Sequence, residues 1–278
     1  MKPSFPRLLT FRRLPAMAVF ATALAVMSAP ALAEDFNPQV GLAGKDVIWM
    51  PTAQAMVDRM LDIARVTPED LVIDLGSGDG RTVISAAKRG ARALGIEYNP
   101  DMVELARQNA GKEGVSTRAR FVHGDIFETD FSQASVLTLF LLPKLNLRLR
   151  PAILQMQPGT RIVSNSFDMD DWEPDETAKV AKGCNLHCLI YFWMVPAQVA
   201  GIWKFDDGEL VLTQRFQIFA GTFRNGRDIA VPINGRLRGR QISFTAGDTQ
   251  YTGIVTGDAI EGVARTGDRE TGWRAVRS

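Results

Sequence analysis

The stretch Leu71-Val-Ile-Asp-Leu-Gly-Ser-Gly-Asp-Gly-Arg81 constrains this chain more than any other. An apolar run ends in an acid, glycines follow at alternate positions, and a helical pattern begins. That order predicts a strand running into a glycine-rich turn that opens a helix. Gly76, Gly78 and Gly80 permit positive φ and leave the backbone open to a ligand. The helix that follows offers unpaired N–H groups at its positive dipole end. A dinucleotide turn, G-x-G-x-x-G, would need glycine at position 81, where Arg81 stands.

The acid-x-Gly-x-Gly-x-Gly order resembles motif I of the class I S-adenosylmethionine-dependent methyltransferases. Ala93-Leu-Gly-Ile-Glu97 is a second short apolar strand ending in a carboxylate. An acid at that place in such a unit accepts hydrogen bonds from ribose hydroxyls. A third strand ends in Phe121-Val-His-Gly-Asp125-Ile126. There the resemblance implies an adenine-binding turn, with Asp125 accepting from the adenine amino group and Ile126 packed on the ring. A single glycine-rich turn says little, because ordinary α/β folds also carry strand-end carboxylates. Three acid-terminated strands in this order strengthen the resemblance, which implies S-adenosyl-L-methionine as cofactor.

The chain has 278 residues, 46% hydrophobic and 23% charged, enough to bury the core of one large or two modest domains. A net charge of +1 gives no general case for a nucleic-acid partner. Arg236-Leu-Arg-Gly-Arg240 is basic, but its alternation fits the solvated face of a strand. The N-terminus reads as an export signal. Lys2, Arg7, Arg12 and Arg13 precede a short apolar stretch, Ala16 to Ala29, and Ala31-Leu-Ala33 fits a cleavage site. Cleavage after residue 33 would turn the net charge negative and place the mature protein in the periplasm. The alternatives are an uncleaved inner-membrane anchor and a mis-assigned start. The two cysteines, in Cys184-Asn-Leu-His-Cys188, enclose a very small loop. Buried free thiols are the first expectation there, a disulfide the second, and a metal with His187 the third.

Alternating strands and helices from Thr52 to Val195 imply a Rossmann-like α/β sheet, parallel, with helices on both faces. The expected helices are Thr52 to Val66, Arg81 to Arg89, Asp101 to Gly111, and Asn146 to Met156 interrupted by Pro151. Strands are expected at Ser135 to Leu142, Thr160 to Ser166 and, closing the sheet, Leu189 to Val195. Residues 34–198 make this domain. Residues 199–278 show short alternating segments and no helical period: Glu209–Ala220, Arg227–Val231, Arg240–Thr245, Gln250–Val255 and Ala259–Ala264. They predict a small antiparallel β domain, a barrel or a sandwich.

Trp49-Met-Pro-Thr52, the Asp74–Arg81 turn, Glu97, Leu139-Phe-Leu-Leu-Pro-Lys-Leu-Asn146 and Thr160-Arg-Ile-Val-Ser-Asn-Ser-Phe167 together are similar to the ATP synthase c-subunit lysine N-methyltransferase family and its bacterial relatives. That resemblance, over about residues 46–170, implies a protein lysine as acceptor, membrane proteins included. It implies that Asp74, Gly76, Ser77, Gly78 and Gly80 form the cofactor turn, that Glu97 holds ribose, and that Pro51 and Thr52 cap the cofactor. Asn146, Asn165 and Asp168 are acceptor-pocket candidates, at the carboxyl ends of strands where α/β sheets place ligands. Helix capping and turn bonding explain these three equally well. No Asn-Pro-Pro-Tyr motif occurs, which disfavours planar amino groups as acceptors. Two other functions remain open: a small-molecule methyltransferase on the same fold, and an exported binding protein that has lost catalysis.

Overall fold

A computed structural model describes residues 36–205, 208–226 and 229–278, with Met1 and Ser4. The rest of the predicted export signal, residues 1–33, lies outside the described residues. After an extended lead-in with one bridge, Ala43 to Ile48, come α1 (Gln54–Ile63), β1 (Leu71–Leu75), α2 (Arg81–Lys88), β2 (Arg92–Glu97), α3 (Pro100–Lys112) and β3 (Ala119–His123). Then follow β4 (Val136–Leu139), α4 (Pro143–Ile153), β5 (Arg161–Asn165), β6 (Glu176–Lys179) and β7 (Leu189–Met194). These strands form one sheet in the order β3-β2-β1-β4-β5-β7-β6.

The first five strands are parallel, as alternating strands and helices require. β7 departs from the expected parallel sheet. It runs antiparallel to β5 and is flanked by β6, a strand whose polar, mostly exposed Glu-Thr-Ala-Lys sequence carries no apolar signal. One face of the sheet is covered by α1, α2 and α3 through Met56, Leu61, Val83 and Ala106. The other is covered by α4 and the segment after β5, through Leu145, Leu149, Met169 and Trp172. The fold is therefore the expected Rossmann-like sheet with helices on both faces.

Several boundaries move. α4 begins at Pro143, where a proline needs no N–H, and runs through Pro151 instead of being interrupted by it. Residues Phe140 to Leu142, expected in a strand, form the loop into that helix. Thr52 and Val66 fall outside α1. Asn99 caps α3, its Oδ1 accepting from the Asp101 N–H at 2.9 Å.

Residues from Gly201 form a closed eight-stranded barrel of β8 (Gly201–Phe205), β9 (Gly208–Arg215), β10 (Ile218–Asn225), β11 (Val231–Arg238), β12 (Gln241–Ala246), β13 (Thr249–Thr256), β14 (Ala259–Thr266) and β15 (Arg269–Arg277). Inward alternation fills it with Trp203, Phe219, Ile233, Leu237, Ile242 and Phe244. The expected single segment Glu209–Ala220 is two strands, because Phe216 takes φ +53° in a hairpin turn without the usual glycine. Of the expected strand Arg227–Val231, only Val231 is in a strand, and residues 227–228 lie outside the described residues. β8 and β15 had no counterpart in the expected strands. Gly247, Gly257 and Gly267, each followed by aspartate, turn three hairpins at φ near +57°.

The expectation of free thiols at Cys184 and Cys188 is corrected: they form a disulfide with Cα atoms 5.8 Å apart. Within the loop, His187 takes φ +59°. Both sulfurs are spent in this bond, which removes the metal reading of the loop.

Candidate active site

Strands β1, β2 and β4 end side by side, and the loops above them enclose a cavity. Its floor is the glycine-rich turn. Gly76, Gly78 and Gly80 all have positive φ, between 53° and 84°. A Cβ on Gly78 would lie 2.6 Å from Trp49 Nε1, so only glycine admits the indole over the turn. Gly76 and Gly78 line the cavity, with Ser77 between them. Gly80 does not. It is packed under Phe121 and Ala106, where a Cβ would approach within 2.7 Å and 2.9 Å, and it starts α2. It stands in the expected turn but, within this structure, packs on those two side chains and does not line the cavity. The Ser77 hydroxyl is buried against Gly95 and has no hydrogen-bond partner among the described residues.

Three of the predicted acids ring this space. Asp74 is buried, and burial pushes its carboxyl up to about 7. Hydrogen bonds from Thr138, at 2.5 Å, and Thr82 oppose the shift, while the charges of Glu97 and Asp79 reinforce it. Glu97 receives the Gly78 N–H on Oε2 and the Asn99 N–H on Oε1, each at 2.9 Å. The same carboxylate that faces the cavity thus holds both turns beside it. Asp125 pairs with Lys45, accepts the Phe127 N–H at 2.9 Å, and is held below the ordinary carboxylate range mainly by the Lys45 hydrogen bond. Ile126 lines the wall beside it.

The N-terminal lead-in closes one side through Lys45, Trp49, Pro51 and Thr52. Arg81 ties it down: its Nη1 donates to the Thr52 carbonyl at 2.8 Å while Nε donates to Asp79 at 3.0 Å. Lys45, which also lies 5.0 Å over the Tyr98 ring, has no sequence signal. Arg81 had one, in standing where another nucleotide turn would carry glycine. Phe140, Leu139, Leu141 and Leu145 supply an apolar wall.

The three acceptor candidates separate from this lining. Asn146 is wholly buried, and its amide donates to the Phe167 and Asp168 carbonyls at 3.2 Å and 3.1 Å. It binds α4 to the segment after β5. Asn165 is buried too, 3.5 Å from the Thr52 hydroxyl, and touches the site only through that residue. Asp168 is exposed and accepts the Asp170 N–H in a turn. Asp168 thus bonds within a turn, whereas Asn146 makes a tertiary link to carbonyls 21 and 22 positions away.

The lining fits S-adenosylmethionine. An open glycine backbone admits the cofactor closely, Asp74 and Glu97 suit its cationic groups and ribose hydroxyls, and Asp125 and Ile126 suit a planar amino-bearing base.

The ANTKMT methyltransferase domain model matches residues 74–176. The protein-lysine N-methyltransferase of Saccharolobus islandicus is 42% identical over 152 residues, covering 54% of this chain and 94% of that protein. The human ATP synthase c-subunit lysine N-methyltransferase is 34% identical over 128 residues, 46% of this chain and 54% of the human protein, so the chain spans about half of that relative. A solved Salinibacter ruber structure, described as an RNA methyltransferase in complex with S-adenosyl-L-homocysteine, is 46% identical with a TM-score of 0.51, covering 54% of this chain and 96% of that one. The turn, the ring of acids and near-complete coverage of a relative agree: the chain belongs to the protein-lysine N-methyltransferase family of S-adenosylmethionine-dependent methyltransferases.

Proposed function

We propose that this chain methylates the side-chain amine of a protein lysine, and does so as an exported protein. The observation that carries the acceptor is the likeness to a protein-lysine N-methyltransferase over nearly all of that protein, around an acid-ringed cavity with one apolar wall. The bound cofactor supplies an electrophilic methyl group on a sulfonium. The chain must then bind, align and dehydrate. Asp74, Glu97 and Asp125 bind and orient, and Trp49 with Pro51 and Thr52 shields the turn from water. A lysine is cationic at neutral pH. Leu139, Leu141 and Leu145 disfavour the ammonium by desolvation and so favour loss of its proton. The relatives are named for the c-subunit of ATP synthase and for adenine nucleotide translocase, which makes membrane proteins the acceptors to test first.

Export has two supports: the basic-then-apolar N-terminus with its Ala-x-Ala site, and the Cys184–Cys188 disulfide, a bond that persists in oxidising compartments. Fractionation with N-terminal sequencing tests it. A chain starting at Glu34 in the periplasm is the expected result, and an intact N-terminus in the inner membrane would replace it with the anchored form.

Labelled S-adenosylmethionine incubated with membrane, soluble-protein, RNA and metabolite fractions tests the acceptor. Methyllysine in hydrolysed membrane protein is expected. The Salinibacter relative favours RNA as the second reading, and label confined to RNA would establish that one.

A further inference from the structure

Three aromatic rings from three separate segments meet at the carboxyl end of the sheet. Phe140 follows β4 directly and lines the cofactor cavity. Phe167 lies just beyond β5, and its ring is 6.1 Å from that of Phe140 at an interplanar angle of 18°. His187 comes from the disulfide loop ahead of β7, whose start pairs with the end of β5. Its ring lies 5.4 Å from Phe140 and 5.5 Å from Phe167, inclined at 65° and 51°. All three are half-buried. The residues next to them leave apolar surface in solvent: Leu142 is 39% exposed, Leu186 66% and Leu189 39%. No role described above uses the side chains of His187, Phe167 or these leucines.

We propose that Phe140, Phe167 and His187 form the acceptor mouth of the cavity, with the Cys184–Cys188 loop as its rim, and that the mouth selects a lysine flanked by apolar residues. The inference deepens the lysine reading and rests on it. Continuity with the cavity is the argument for the place, since Phe140 belongs to both. Chemistry argues for the occupant. A lysine presents a four-methylene stem, which aromatic faces cover, and a cation, which they attract as water is removed. Exposed leucines around such a mouth match apolar neighbours in the acceptor, as a membrane protein would offer. His187 is held by two constraints, a positive φ and a disulfide one residue away. A side chain fixed in this manner serves positioning better than one on a free loop.

The test compares the full chain with His187→Ala, His187→Phe, Phe167→Ala and the double variant Cys184→Ser, Cys188→Ser. Two synthetic peptides serve as probes, each with one central lysine, flanked by leucines and alanines in one and by aspartates and serines in the other. Initial methyl-transfer rates give KM and kcat, and calorimetry gives S-adenosylhomocysteine affinity. The expected results are a preference for the apolar peptide and a peptide KM raised about tenfold in His187→Ala and Phe167→Ala. His187→Phe restores the wild-type KM, and cofactor affinity is unchanged throughout. The cysteine variant raises KM in the same direction as His187→Ala. Equal use of the two peptides, or an unchanged peptide KM in the alanine variants, overturns the inference and leaves lysine methylation standing. A wild-type chain that binds S-adenosylhomocysteine yet methylates no lysine in either peptide or in membrane extract overturns the lysine reading, and the acceptor mouth with it.

Discussion

At the scale of single residues, the cofactor side of the site turns on two carboxylates. Asp74 sits buried with its pKa pushed up to about 7, against an ordinary value of 3.8. The native state therefore holds a proton that the unfolded chain releases between those values. Its contribution to stability is complete below about pH 4 and is lost as pH rises through about 7. Thermal melts from pH 5 to pH 8 are expected to show this fall in the wild type and to lose that component in Asp74→Asn. Binding has the opposite sign. The cationic cofactor prefers ionised Asp74, so S-adenosylmethionine affinity is expected to rise through pH 7, with protons released to buffer in calorimetry below it. Glu97→Ala removes acceptors from the Gly78 and Asn99 N–H groups as well as the proposed ribose contact. A loss of about 2–3 kcal/mol, roughly a hundredfold in Kd for S-adenosylhomocysteine, is expected by titration. Both acids were legible in the sequence because each stands at or next to the end of an apolar strand. Lys45 was not, because its partner Asp125 lies 80 positions away and nothing local marks the pair.

At the scale of elements, the glycine turn shows how one motif divides its labour. Gly76 and Gly78 admit a ligand, whereas Gly80 admits Phe121 and Ala106. Gly80→Ala is expected to lower stability by about 2 kcal/mol or more, from φ +84° and a Cβ inside contact distance of both neighbours. Where the variant remains folded, its S-adenosylhomocysteine affinity should stay within a few-fold of wild type, which calorimetry on the purified protein checks. β1 and β4 were legible because they are buried, mostly apolar runs. β6 was not, because a sheet-edge strand of Glu-Thr-Ala-Lys has no apolar face to announce it. The hairpin at Phe216 was hidden for the complementary reason: its turn carries no glycine, asparagine or proline. The disulfide loop defeated a rule about short spans: the two Cα atoms lie 5.8 Å apart, within bonding range. Acceptor-side residues lay beyond sequence patterns altogether. Phe140, Phe167 and His187 meet only because β7 returns antiparallel beside β5.

At the scale of the whole molecule, composition separates the barrel from the sheet, but physics joins them. Phe216, at the β9–β10 turn, stacks on Trp172 with centroids 5.8 Å apart, and Trp172 is wholly buried. The Gln217 amide, itself 2% exposed, donates to the Glu173 carbonyl at 2.6 Å. Asp171 lies between Arg150 of α4 and Arg215 of the barrel. A Cβ on Gly239 would lie 2.7 Å from the Met194 sulfur, so the β11–β12 turn reaches β7 only as glycine. Asp175 matters most in this seam. Its side chain is 4% exposed, its Oδ2 takes the Met194 N–H at 2.9 Å, and its Oδ1 pairs with Arg236 at 2.6 Å. The seam thus runs along the segment between β5 and β6, which also carries Phe167 and the packing against α4. Coupling of this kind makes Phe36–Ser278 a single unit in which the barrel braces the acceptor side of the sheet. Arg236→Ala leaves Asp175 buried without its cation, a loss of about 2–3 kcal/mol. In a unit of this size each kcal/mol shifts Tm by about 2–4 °C. The expected outcome in scanning calorimetry is one transition in the wild type and one in Arg236→Ala, lower by about 4–12 °C. Arg224→Ala, which removes an exposed pair wholly within the barrel, should shift Tm far less. Two resolved transitions in the wild type, or equal shifts in the two variants, would mean that the barrel folds independently and that the seam transmits nothing to the site.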